Sequence, residues 1–477
     1  MRLSHATAKT RVSFDDPHLV SHAGLVPVMA LAGRAGLQDL VAEHVRPGGD
    51  CGANPHLKVA SLVAGMAAGA DSIDDMGVLR HGAMGAVFGG IRAPSTLGSH
   101  LRAYNFGNVA QLEKAGRKLL IRLARAAPLL RGGRYLAFVD IDSSQKRVYG
   151  YSKQGARFGV TKIAGRQVAV RGLNPLIAAI STPDSAPVIA ATRLRGGNAA
   201  SVRGAASLAY GAIATARAAG CAGLVIVRAD SAYYAAEVVA AIRRQGARFS
   251  VTAPMNAKVK ATIAGIAEDA WTPIRYPRAI WDDQLGCWVS EAEVAETGYT
   301  AFTGNPAAPA KGTPRKERPV TARLIVRRVR DQNQDAAPGQ GELFPAWRYH
   351  AVFTDSPFET VQAEADHRDH AIIEQVLADL YDGPLAHLPS GKFTANAAWL
   401  SIAAMTHNLL RAAGALAGRA LAKARGATLR RDLVAVPART ARHGRGHLTL
   451  HLPQGWHREG EWLSLWHHAC GPPATTA

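Results

Sequence analysis

Seven side chains in this 477-residue sequence have the types and spacings to line a polar, metal-holding site. Asp140 and Asp142 lie in FVDIDSS (138–144), inside the strand-like run RYLAFVDIDSSQKRVYG (134–150). Alternate strand residues share a face, so the two carboxylates stand on one side with Leu136 and Phe138. Two like charges so placed raise each other's pKa unless a cation neutralises them. Hard carboxylate oxygens are the ligands that Mg²⁺ prefers. Taken alone, the pair also fits a structural account, in which Asp142 caps the following turn and Asp140 pairs with an arginine.

Asp230 ends the apolar run LVIVRAD (224–230), the carboxyl end of a buried strand, where open α/β sheets place ligands. It could instead cap the next helix, although Ser231 could serve there and leave Asp230 free. The segment HRDHAIIEQVLADLY (367–381) reads as one helix. At about 100° per residue, its His367, His370, Glu374 and Tyr381 fall on one polar edge beside the apolar stripe Ile373, Val376, Leu377 and Leu380. Solvated edges usually carry Lys and Glu rather than paired histidines.

The elements that must position these groups form three blocks. Residues 1–130 read as helical, with helical periodicity at 57–68 and 108–127. Between these, APSTLGSHLRAYN (93–105) could be a recognition helix with Ser99, His100 and Arg102 exposed, or a plain helical hairpin. From Arg134 the texture becomes strands at 134–142, 174–181 and 186–194, a helix at 199–219, a strand at 224–230, a helix at 231–245 and a strand at 247–253. This describes an α/β sheet with mixed pairing. Residues 258–355 read as antiparallel strands with a basic Pro/Gly loop at 304–319, and helix returns at 363–380 and 395–425. The expected segments are therefore 1–130, 131–257, 258–355, 356–425 and a basic, folded 426–477.

Composition points to the partner. There are 56 Lys+Arg against 36 Asp+Glu, a formal net charge of +20 and a pI near 10.2. Such an excess favours a polyanion, and nucleic acid is the commonest. Arg147, Arg193, Arg195, Lys392 and the cluster from Arg411 to Arg445, nine cations against Asp432 alone, are the candidate phosphate contacts. The four cysteines show no zinc spacing and fit a reducing, cytoplasmic setting. The longest uncharged stretch, 393–410, is interrupted by Asn396, Thr406, His407 and Asn408, which argues against a membrane span.

Asp, Asp and Glu on strand, strand and helix resemble the DDE transposases. The likeness is nearest to the insertion-sequence-4-like superfamily and, within it, the insertion-sequence-1380-type family of bacterial insertion sequences. Asp142-Ser143-Ser144 is similar to that branch's first Asp with its small hydroxyl residues, and ADSAYY around Asp230 to its strand-end Asp-x-x-Tyr. Glu374 falls on the Glu of the helix signature Tyr-x2-Arg-x3-Glu-x6-Lys. His367, His370 and Tyr381 stand at its Tyr, Arg and Lys places. DGPLAHLPSGKFTANAAWLSIAAMTHNLLRA (382–412) is similar to the segment that follows.

The resemblance implies a ribonuclease-H-like core with a β-rich insertion, preceded by an all-helical, DNA-binding N-terminal region. It implies Asp142, Asp230 and Glu374 as catalytic metal ligands, with Asp140 the alternative first ligand. His367, His370, Tyr381, Lys392, Tyr233 and Asn408 become DNA-binding or supporting residues. It further implies Mg²⁺, with Mn²⁺ able to substitute, and cut-and-paste transposition of double-stranded DNA between terminal inverted repeats and a target. A homodimer in a cytoplasmic, nucleoid-associated complex goes with that. The competing expectations are a catalytically impaired DNA-binding relative and a metal-dependent nuclease on the same fold.

Overall fold

The computed structural model describes residues 10–163, 166–276, 279, 281–283, 287–288, 292–303, 319–330 and 347–471. The basic loop expected at 304–319 lies outside them except for its last residue. The core strands are β1 (Leu136–Ser143), β2 (Arg166–Thr182), β3 (Ser185–Gly196), β4 (Leu224–Ala229), β5 (Arg248–Thr252), β6 (Ala292–Ala301), β7 (Val320–Arg330) and β8 (Trp347–Thr354).

They belong to one eleven-stranded mixed sheet. The first half runs β3-β2-β1-β4-β5, with β2 antiparallel to both β3 and β1, and β1, β4 and β5 mutually parallel. Apolar, β-branched runs such as Leu-Val-Ile-Val at 224–227 suit strands buried on both faces. The parallel connections are helical: Ala205–Ala218 and Ala236–Arg244 pack together, and the first lies against β1, β2 and β3. The mixed α/β character matches the expectation from sequence.

The strands of 258–355 do not stand apart from this sheet. β8 pairs antiparallel with β5, and β7, β6 and the short strand Thr272–Ile274 continue outward from it. Arg328 is sandwiched between Trp271 (4.3 Å) and Trp347 (4.5 Å) and paired with Glu268 and Glu293, which ties the layer together.

Five main helices precede β1: Leu25–Arg34, Leu37–His44, Pro55–Ala68, Pro94–Arg102 and Phe106–Ala126. They wrap the long helix Phe393–Ala417, buried along nearly its whole length, and the C-terminal helix Glu459–Cys470 packs against it too. A single apolar core runs from Val20 to Ala469. The strand Leu19–Val20 pairs with Ala438–Arg442, so the two ends of the chain are stitched together. Among the described residues no single helix is long and apolar enough to cross a membrane.

Three expectations need correction. His100 is fully buried rather than exposed. It shares the stripe of Leu97, Leu101 and Tyr104, at offsets of three and four, and bonds the Cys51 carbonyl (3.0 Å) and the Tyr104 hydroxyl (3.3 Å). The helix read over 231–245 is a 3₁₀ turn, Ser231–Tyr233, followed by Ala236–Arg244. The helix read over 367–381 is broken into Thr360–Arg368, a 3₁₀ turn at Asp369–Ala371, and Ile372–Tyr381.

Candidate active site at the carboxyl ends of β1 and β4

Ladder pairing between β1 and β4 ends at Ile141 opposite Ala229. Asp142 and Asp230 are each the next residue, so the parallel register carries both carboxylates past the same edge of the sheet. Each has one oxygen engaged by the backbone: Asp142 Oδ1 accepts from the Ser143 amide (2.6 Å) and Asp230 Oδ1 from the Ala232 amide (2.9 Å). Asp230 is thus itself the cap of the following turn, a task the sequence left open to Ser231. Asp proved the better fit because its acceptor reaches the amide two residues on.

Burial pushes the Asp142 carboxyl up to about 6, and the charges of Asp230 and Glu374 add to it against the Ser143 amide and His370. Asp230 is raised too, chiefly by burial, with the Ala232 amide and His370 opposing. Asp230 and Glu374 are therefore close enough to Asp142 to disfavour its ionisation, and the hard oxygen donors of carboxylates suit a divalent cation. Among the described residues, no three ligating side chains are gathered tightly enough to share one ion in this conformation. Glu374 is exposed on its helix.

Asp140 has a different environment. It is fully buried, and Arg228 grips both its oxygens, Nε to Oδ1 at 2.7 Å and Nη2 to Oδ2 at 2.8 Å. Ser181 Oγ adds a bond to Oδ2 (3.2 Å) and His370 Nδ1 one to Oδ1 (3.0 Å). Burial is the largest single influence and would raise its pKa; the charges and hydrogen bonds of Arg228 and His370 together outweigh it, and the carboxyl sits below its ordinary value. Asp140 is thus the arginine-paired acid that the sequence allowed for. The Arg228 guanidinium also stacks on Phe138 at 4.0 Å and donates to the Asp366 carbonyl. The arginine inside the apolar strand LVIVRAD was the available signal for this partner.

The helix break explains where the remaining signature positions go. His367 turns inward over β5, its ring nitrogens bonded to Ser250 and Thr252 (both 2.9 Å). Burial holds its pKa down to about 3, with the His370 and Arg228 charges adding, so it is a neutral support that no phosphate can reach. His370 leaves the helical register to meet Asp140. The single polar edge inferred for one continuous helix therefore does not exist. The diverted Asp366 carbonyl and these two histidine contacts account for the break.

Tyr381 lies half-buried beside Ser144 and Asp142, its hydroxyl raised to about 12 by the burial of that end. Lys146, not singled out from sequence, places its Nζ over the Tyr381 ring at 4.7 Å. Tyr233 is buried and donates to Ser143 Oγ (2.9 Å), linking the two aspartate-bearing loops.

Other expected DNA contacts are committed elsewhere. Asn408 is buried and bonded to both the amide (2.7 Å) and the carbonyl (2.8 Å) of Ile189 in β3. Arg195 is buried against Asn174 and the carbonyls of Ala200, Ser201 and Arg203. Arg411 is buried in an ion pair with Asp379. Arg193 binds Gly204 and Ser207, and Lys392 the carbonyl of Arg102 (2.7 Å). A cation in sequence does not reveal whether the fold needs it, and these four serve internal carbonyls, a side-chain amide, a hydroxyl or an acid.

The layout is that of an α/β protein with an acidic site at the carboxyl ends of adjacent parallel strands. Residues 4–467 match the family model described as Transposase DDE domain group 1, and the chain belongs to that family. No curated protein matches it. Membership makes it a transposase of the DDE class, whose members cleave and join DNA and generally use divalent metal ions.

Proposed function

We propose that the chain carries out cut-and-paste transposition as a member of the insertion-sequence-4-like superfamily, on a ribonuclease-H-like core with Asp142, Asp230 and Glu374 as its metal-holding acids. The observation that carries this reading is the pairing of Asp142 and Asp230 at adjacent strand ends, with Asp142 shifted to about 6 by burial and by the other two acids. The strand order β3-β2-β1-β4-β5, with only β2 antiparallel to the first strand, supports the core assignment. Mg²⁺ or Mn²⁺, when bound, neutralises the phosphodiester and activates the attacking water or 3′-oxygen. The chain's own residues do the positioning. Tyr233 and Ser143 hold the two aspartate loops together, and the buried Arg228–Asp140 pair fixes His370 through Nδ1, leaving Nε2 as that ring's remaining polar atom.

A catalytically impaired DNA-binding relative is the second reading. It is favoured by neutral His367 and by Tyr381 standing where the family signature has Tyr and Lys. Lys146 over the Tyr381 ring counts against it, because a cation reaches the same place from another element.

The deciding experiment incubates the protein with linear DNA carrying the sequences that flank its coding region, with Mg²⁺, Mn²⁺ or EDTA. Metal-dependent nicking and joining of a pre-cut 3′ end to target DNA are expected. Both activities should vanish in Asp142→Asn and Glu374→Gln, which should still bind DNA. Wild-type activity in either variant sinks the site assignment, and cleavage without joining would make the protein a nuclease. Dimer formation on paired ends, expected of the synaptic complex, can be read from the same reactions by crosslinking.

A further inference from the structure

The stretch from Ser143 to Pro183 holds seven Lys/Arg and no Asp or Glu, immediately after Asp142. Much of it forms a two-stranded ribbon. Arg157–Ile163 pairs with the first half of β2, in register from Arg157 opposite Gly172 to Ile163 opposite Arg166. β3 pairs with β2 only from Leu173 onward, so the ribbon extends beyond the sheet on the edge that carries the acids. Several large apolar side chains are left in solvent: Phe158 (68% exposed) and Val160 (65%) on the ribbon, and Tyr149 (67%) and Tyr151 (101%) on the turn that leads into it. Arg147 stacks on Tyr149 at 5.0 Å.

The ribbon's base is fixed to the segment that follows the Glu374 helix. Lys153 donates to the Leu388 carbonyl, the Gln154 amide to the Gly391 carbonyl (2.9 Å), and the Phe393 amide to Gln154 Oε1 (3.1 Å). Gly155, at φ +77°, permits the close approach, since a Cβ there would stand 2.7 Å from the Phe393 ring. Lys146 ties the other side to Tyr381. The backbone between the two exposed rings is thus anchored to the segment that follows the Glu374 helix.

Duplex binding needs cations only. Rings interleaved with cations are the makings of a stacking platform for unpaired bases. A second copy of the chain is the poorer occupant, because it would bring seven more cations against these. We propose that this ribbon binds single-stranded DNA, stacking unpaired bases of an opened end on Tyr151 and Phe158 beside the phosphodiester being cut. This deepens the transposase reading and rests on it.

The test measures affinity at fixed salt for a forked DNA with 2-aminopurine in its unpaired arm, against a fully paired duplex of the same sequence. Wild type should prefer the fork by about tenfold and quench the 2-aminopurine. The double variant Tyr151→Ala, Phe158→Ala should lose both preference and quenching while duplex affinity holds. Because both residues are exposed, an unchanged thermal melt is expected and is checked alongside. Equal wild-type affinity for fork and duplex overturns the proposal, as does a variant that keeps the preference, or one whose only change is loss of self-association in sedimentation. Wild type that binds neither DNA overturns the transposase reading as well, so the two failures are distinguishable.

Discussion

Asp140 and Asp142 are two residues apart, yet they occupy opposite electrostatic situations. Asp140 has Arg228, Ser181 and His370 around it and is held ionised; removing the arginine would strand a buried charge, the costly way to break such a pair. Asp142 has acids for neighbours and, among the described residues, no ion pair with an arginine, Arg195 acting on it only from farther away. Its folded pKa of about 6 lies above the ordinary 3.8, so proton binding favours the folded state. That contribution is complete below about pH 4 and lost as pH rises through about 6. Asp142→Asn should therefore raise the melting temperature of metal-free protein at pH 7.5, by an amount equivalent to at most about 3 kcal/mol, and do much less at pH 4.5. Adding Mg²⁺ should stabilise wild type more at pH 7.5 than at pH 5, because the ligand must first lose its proton. Thermal melts at these pH values check both, and a variant that melts with wild type throughout would show that Asp142 carries no such strain.

At the level of elements, the site depends on how helices are fastened to the sheet. β3 pairs only with β2 among the described strands and has an irregular register between Ile189 and Ala191, so its outer edge offers Ile189 no ladder partner. Asn408, on the long helix, supplies both missing bonds with its one amide group. Asn408→Leu should cost about 1–3 kcal/mol, since a buried amide and carbonyl lose their partners together. Hydrogen exchange at the Ile189 amide should speed up with it; unchanged protection would mean that another group holds this bulge. The broken Glu374 helix follows the same logic. Its amphipathic pattern is legible from Ile372 onward, but the break is imposed by Asp140, Ser250, Thr252 and Arg228, which lie far away in sequence.

For the molecule as a whole, the net charge of +20 is unevenly used. Arg195, Arg328 and Arg411 are buried in internal networks, while the ribbon after Asp142 keeps cations with no acid among them. Binding to duplex DNA should therefore be dominated by phosphate neutralisation. Raising salt from 50 to 200 mM should weaken it by at least about tenfold, with log affinity falling linearly in log salt. Fluorescence anisotropy across a salt series reads this slope, and a flat line would rule out phosphate contacts as the source of affinity.

The sequence by itself determined the α/β texture, the acids at the ends of two apolar strands, the acid-bearing helix and the basic character. These are local: periodicity, strand-end position and composition are written within a few residues of each group. Only the tertiary structure decided which aspartate of FVDIDSS is paired and which is left to its acidic neighbours. It also decided that His367 and Asn408 turn inward, that the strands of 258–355 extend the main sheet, and that Lys146 meets Tyr381. Each of these turns on a partner tens to hundreds of residues away, and burial makes an unpaired charge or amide too costly to leave without one.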